Sequence, residues 1–182
     1  MILVGLGANL PSPWGPPSAT LEAALKALEQ EGVHVVRHSR WYTSAPEPAS
    51  DQPWYTNGIA VVETAQPPAD LLATLLRVEL AFGRNRGDGT RVARDARNYQ
   101  PASRTLDLDL LAYDDVVQRE AGEGGLTLPH PRMHARAFVL VPLAEVAPGW
   151  THPSLRQSVE DLVAALPPAA QVLPIGDVGR SR

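Results

Sequence analysis

At 182 residues the chain suits one compact domain spanning 1–182, with a loose tail expected from about 174 onward. Its 44% hydrophobic and 20% charged residues are ordinary globular values, and a net charge of −4 argues against binding to a nucleic-acid backbone. Without cysteine there is no disulfide, zinc-thiolate site or thiol nucleophile. The apolar start, 2–10, is broken by Gly5 and Gly7 and has no basic leader, and no run approaches the roughly 20 apolar residues of a membrane helix, so no membrane association and a cytoplasmic location are expected.

The elements follow in chain order. Ile2 to Leu6 reads as a buried strand that ends in a tight backbone turn at Gly7, and Pro11 to Pro17 as an irregular connection. Ser18 is placed to cap a helix whose Leu21, Ala24, Leu25 and Leu28 recur at helical spacing until Gly32. Val33 to Tyr42 is extended in character and Asn57 to Thr64 is a second β-rich run. Leu71, Leu75, Val78 and Phe82 make the stripe of a second helix over about 69–82, and Thr105 to Tyr113 is a further strand. The order strand, helix, strand, strand, helix, strand is the split βαβ arrangement: an α+β, ferredoxin-like antiparallel sheet with two helices on one face. Arg136 to Val146 and Ser154 to Leu166 read as C-terminal helical additions.

Two long connections, 43–54 and 84–103, flank strands, and the second is dense in arginine. Lys26 is the one lysine, so almost all positive charge is guanidinium, the group that meets phosphate oxygens with paired hydrogen bonds. The sharpest local signal is Arg104-Thr105-Leu106-Asp107-Leu108-Asp109-Leu110-Leu111. On a strand, Asp107 and Asp109 share one face and Leu106, Leu108 and Leu110 the other. Their Cα atoms would stand roughly 6.6 to 7 Å apart, within reach of a metal pair about 3.5 to 4 Å apart. Arg104 has the parity of the leucines, so a regular strand would bury it. It is expected in the loop just before the strand, free to swing toward the acids. Acids that gather cations beside a guanidinium-rich loop are the parts of phosphoryl transfer. Gly5-Leu6-Gly7-Ala8-Asn9-Leu10 lacks the third glycine of a dinucleotide fingerprint, and there is no Gly-Lys-Ser or Gly-Lys-Thr.

Four blocks in order carry a resemblance. They are Gly5 to Leu10; Asp51-Gln52-Pro53-Trp54-Tyr55-Thr56-Asn57; Arg104 to Asp109; and Leu128-Pro129-His130-Pro131-Arg132-Met133 leading to Arg136 and Phe138. Together they resemble the 6-hydroxymethyl-7,8-dihydropterin pyrophosphokinase family over nearly the full chain. The resemblance implies transfer of pyrophosphate from ATP to the hydroxymethyl group of a reduced pterin in folate biosynthesis. It implies two magnesium ions held on ATP by Asp107 and Asp109, with Arg84 and Arg104 acting on the phosphates. It places His130 and Arg136 on the triphosphate and Thr127 at the base end of the nucleotide. The pterin would lie between Tyr55 and Phe138, its edge read by Asn57 and by backbone groups around Ser44 to Glu47. A monomer is expected. The chain departs from the family pattern at Gln100-Pro101-Ala102-Ser103, where a basic residue, an aromatic and Gly-Pro are usual. It departs again at Pro131, where tyrosine is common, and its arginine loop is lengthened from about Gly87 to Asn98. On the residues alone, a metal-dependent nucleotidyl transferase or cyclase and a non-catalytic ligand-binding module on the same sheet are alternatives.

Overall fold

The computed structural model describes residues 1–46, 49, 51–83, 104–119, 125–167 and 171–176. Strands β1 (Ile2–Ala8), β2 (His34–His38), β3 (Tyr42–Ser44), β4 (Tyr55–Glu63), β5 (Asp107–Tyr113) and a C-terminal strand, β8 (Val172–Pro174), form one sheet. Its order is β5-β1-β4-β3-β8, with β2 also on β4, and every pairing is antiparallel. A separate hairpin joins β6 (Gln118–Arg119) to β7 (Thr127–Leu128).

Each face of the sheet buries its own core. Val4, Leu6, Ala60, Val62, Leu108 and Leu110 meet Leu21, Leu25 and Leu28 of α1 (Pro17–Gln30) and Leu71, Leu75 and Val78 of α2 (Pro68–Ala81). Leu3, Ile59, Val61 and Leu111 face the other way, onto Val139, Leu140 and Leu143 of α3 (Ala137–Val146) and Leu162 of α4 (Val159–Ala164). The period-two alternation of β5 therefore sends Leu108 and Leu110 under α1 and α2, and Asp107, Asp109 and Leu111 to the α3 face.

Several boundaries differ from the sequence reading for local reasons. Pro16, not Ser18, is the N-cap of α1, because Pro16 and Pro17 fix the backbone φ that starts a helix. The extended run 33–42 is two strands. Ser39 interrupts it, donating its N–H to the Ile59 carbonyl and accepting the Ile59 N–H on its own hydroxyl, at 2.9 and 3.0 Å. The helix expected over 154–166 is shorter, because Ser158 and Asp161 form a reciprocal capping box that starts it at Val159. The tail is not loose at 174–176: β8 pairs with β3 and the Ile175 N–H reaches the Trp41 carbonyl at 2.8 Å, while 177–182 lie outside the described residues. The C-terminal end of α3 is tied to the sheet by Arg37, which donates to the Val146 carbonyl at 2.8 Å, and by Glu145, which accepts from Arg40 and from the Tyr42 hydroxyl.

Candidate active site

On the α3 face the sheet is covered over Leu3, Ile59 and Leu111 but partly open at Gly5 and Gly7 of β1, and these two glycines make a trough. Gly7 stands across from Asp107 on one side and Asn57 on the other, and Gly5 stands across from Asp109 and Ile59. A Cβ at Gly7 would lie 3.2 Å from Asn57 Oδ1 and 4.0 Å from Asp107 Cβ, while one at Gly5 would lie 3.3 Å from Leu111 Cδ1. Neither glycine has a positive φ and both sit inside β1, so the expected tight turn is not there. What these positions require is space. Gly5, Gly7, Asn57, Asp107, Asp109 and Phe138 line the resulting cleft.

Arg104 precedes β5, and its guanidinium donates to the Asp107 carboxylate. Asp109 is pushed up to about 6, first by burial and then by repulsion from Asp107. Arg136 and Arg104 pull the other way and Glu79 adds to the repulsion. Glu79 lies across the sheet on α2, buried to 1% exposure, and its Oε1 accepts the Leu108 N–H at 2.7 Å between the two aspartates. A carboxyl pair left short of positive charge by two nearby arginines is a donor set that fits a hard divalent cation. Among the described residues no three His, Cys, Asp or Glu converge, so a cation here would complete its shell from elsewhere.

His130 is anchored to β5 through its N–H, 2.8 Å from the Leu111 carbonyl. Burial, and then Arg136 and Arg132, depress its imidazole to about 4. Its Nδ1 accepts the Arg132 N–H at 3.2 Å, which leaves the single proton of the neutral ring on Nε2, a donor suited to a phosphate oxygen. Arg136 is the N-cap of α3, its guanidinium carbon 5.4 Å from the Phe138 ring centroid.

On the opposite wall Asn57 donates from Nδ2 to the buried Ser44 hydroxyl at 2.8 Å, which leaves Oδ1 toward the space above Gly7. Tyr55, two residues earlier on the same face of β4, donates its hydroxyl to Gln52 Oε1 at 3.3 Å. Thr127 lies in the β6–β7 hairpin, paired with Arg119, and does not line the cleft. Arg84 and Glu47 lie outside the described residues. The sequence reading passed over the role of the paired glycines and of Glu79. Glu79 does leave a signal: it continues the Leu71, Leu75 row of α2, where an acid is out of place unless it is bonded.

A split βαβ sheet that carries an acid pair, flanking arginines and an adjoining cleft defines the class of metal-assisted phosphoryl-transfer proteins. Residues 3–148 match the model of the 7,8-dihydro-6-hydroxymethylpterin-pyrophosphokinase (HPPK) family, and the chain belongs to that family. A 2-amino-4-hydroxy-6-hydroxymethyldihydropteridine pyrophosphokinase of Synechocystis is 40% identical over 162 residues, covering 88% of this chain and 73% of its own. One of Haemophilus influenzae is 40% identical over 162 residues, covering 88% and 89%. A Pisum sativum mitochondrial folate synthesis bifunctional protein is 34% identical over 145 residues, 80% of this chain but 25% of that protein. Among solved structures, a Plasmodium falciparum HPPK-DHPS triple mutant superposes with a TM-score of 0.66 over 90% of this chain and 42% of that one. Its 14% identity makes that a likeness of fold.

Proposed function

We propose that Asp107 and Asp109 hold the magnesium of bound ATP while the pterin occupies the neighbouring part of the same trough, so that the two substrates meet over Gly5 and Gly7. The enzyme is an ATP-dependent pterin pyrophosphokinase: it transfers pyrophosphate from ATP to 6-hydroxymethyl-7,8-dihydropterin, giving the pterin diphosphate and AMP, in folate biosynthesis. The observation that carries the placement is the shared β1 register, with Gly7 between Asp107 and Asn57.

Asp107 and Asp109, on one strand face, would hold two magnesium ions, whose charge would offset that of the phosphates. Arg104 and Arg84 act on the phosphates. Arg104 starts from Asp107 and moves to the triphosphate once the carboxylate is otherwise engaged. Arg136 and the Nε2–H of His130 hold further phosphate oxygens, and Thr127 serves the base end of the nucleotide. Tyr55 and Phe138 sandwich the pterin ring, while Asn57, oriented by Ser44, reads its edge. The pterin hydroxymethyl oxygen attacks the β-phosphorus in line, the P–O bond to the α-phosphate breaks, AMP departs and the hydroxyl proton is lost to solvent. The protein works as a cytoplasmic monomer of a single domain, its mass in solution readable by light scattering. No helix among the described residues is long and apolar enough to cross a membrane.

Chromatography of spent ATP after incubation with the pterin and magnesium tests the reaction. AMP and pterin diphosphate in equal amounts are expected. Release of pyrophosphate in place of AMP would identify a nucleotidyl transferase.

A further inference from the structure

Asn9 follows the last residue of β1 and is buried to 2% exposure, and its polar groups face two different parts of the site. Toward β5, its N–H donates to the Arg104 carbonyl at 3.0 Å and its Oδ1 accepts the Arg104 N–H at 2.8 Å. Toward β4, its Nδ2 donates to Gln52 Oε1 at 3.2 Å and to the Pro53 carbonyl at 3.3 Å. Gln52 Oε1 in turn accepts the Tyr55 hydroxyl. The two contacts fix the amide's orientation, because an N–H stands on one side and a backbone carbonyl on the other.

We infer that Asn9 is a positioning residue that sets Arg104 and Tyr55 at a fixed spacing, coupling the phosphate side of the trough to the pterin side. This rests on the proposed roles of those two residues. Both polar backbone atoms of Arg104 are committed to Asn9, so the guanidinium swings from an anchored Cα. The same side chain holds the segment before β4, and through Gln52 it holds the hydroxyl end of Tyr55. Only a neutral amide supplies an acceptor to one strand and a donor to the other. Asp has the shape without the donor, and Ala has neither.

That asymmetry makes the inference testable by steady-state kinetics on the full chain, with thermal unfolding measured alongside. Asn9→Asp keeps the acceptor for Arg104 and loses the tie to Gln52 and Pro53. Its KM for the pterin should rise about tenfold, the effect of losing one to two buried hydrogen bonds, with a much smaller fall in kcat. Asn9→Ala should add a fall in kcat of about tenfold or more. Gln52→Ala, at a half-buried position, should raise the pterin KM alone. Equal loss of kcat in Asn9→Asp and Asn9→Ala with an unmoved pterin KM would overturn the inference, as would variants that lower Tm with all kinetic constants intact. If the Asn9 variants do not fold, an unmoved pterin KM in Gln52→Ala overturns it. Tyr55→Ala serves as control. If it leaves the pterin KM unchanged, the reading of the site fails; if it raises that KM while the Asn9 and Gln52 variants do not, the coupling alone fails.

Discussion

The Arg104 guanidinium is paired with the carboxylate of Asp107, three residues on in the chain, with both side chains about one-quarter exposed or less. In the proposed reaction the same guanidinium serves first as counter-ion to Asp107 and then as a phosphate ligand. Arg104→Ala should lower kcat by about 10³-fold, the low end for an arginine that stabilises transferring phosphate, with a far smaller change in the KM for ATP. Arg104→Lys should recover only part of the loss, because an ammonium cannot form the paired contacts of a guanidinium. A kcat within about threefold of wild type in Arg104→Ala would show that the pairing with Asp107 is a surface ion pair with no part in transfer.

Asp109 gives the site a pH dependence. Its pKa in the folded chain, about 6, lies above the ordinary value of 3.8. The protonated form is therefore favoured by folding: its stabilisation is complete below about 4 and is lost as pH rises through about 6. Above that range the ionised acid is a cost that a divalent cation held there, as proposed, would relieve. The rise in Tm on adding millimolar magnesium should accordingly be larger at pH 7.5 than at pH 5, with its midpoint near 6. In Asp107→Asn the midpoint should move down as the like charge disappears. A magnesium effect that stays flat between pH 5 and 8 would contradict this.

Gly7 is required for room and not for backbone freedom, and the two demands have opposite signatures. Gly7→Ala should change stability by no more than about 1 kcal/mol in either direction, because a strand conformation that suits alanine is offset by the close contact with Asn57. The new methyl group, 3.2 Å from Asn57 Oδ1, should displace the amide and raise the KM for the pterin by about tenfold or more. Unchanged pterin kinetics with a lower Tm would reverse the assignment.

Gly58, one residue beyond Asn57, is a structural counterpart. A Cβ there would lie 2.5 Å from Trp41 Cζ3, and the indole cannot yield easily, because its Nε1 donates to Glu22 at 2.8 Å and its ring stacks on His38. Gly58→Ala should therefore destabilise the fold by about 1 to 3 kcal/mol, the range for overpacking a filled site. Urea unfolding measures it. A loss below about 0.5 kcal/mol would mean that Trp41 repacks freely.

The sequence is most legible where side-chain period and chemistry coincide. Asp107 and Asp109 against Leu106, Leu108 and Leu110 mark the two faces of β5 in one motif, and the leucine stripe of α2 marks its span to within a residue of the observed 68–81. Legibility ends where a role depends on what stands across a strand. Gly5 and Gly7 look like a turn until the pairing with β4 and β5 shows what a Cβ would meet. Nothing beside Asn9 in the chain marks its part until Arg104 and Pro53, distant in sequence, are seen on either side of its amide. The three residues of β8 carry no period of their own, and only β3 gives them an edge to join.

The central claim is that the acid pair on β5 carries the cations of bound ATP. Anomalous scattering from a crystal of the protein grown with manganese and α,β-methylene ATP tests it directly. The account predicts density for two ions, one or both within about 2.3 Å of carboxylate oxygens of Asp107 and Asp109, and the Arg104 guanidinium moved from Asp107 to the phosphates. Manganese bound to the triphosphate alone, with Arg104 still on Asp107, would contradict it.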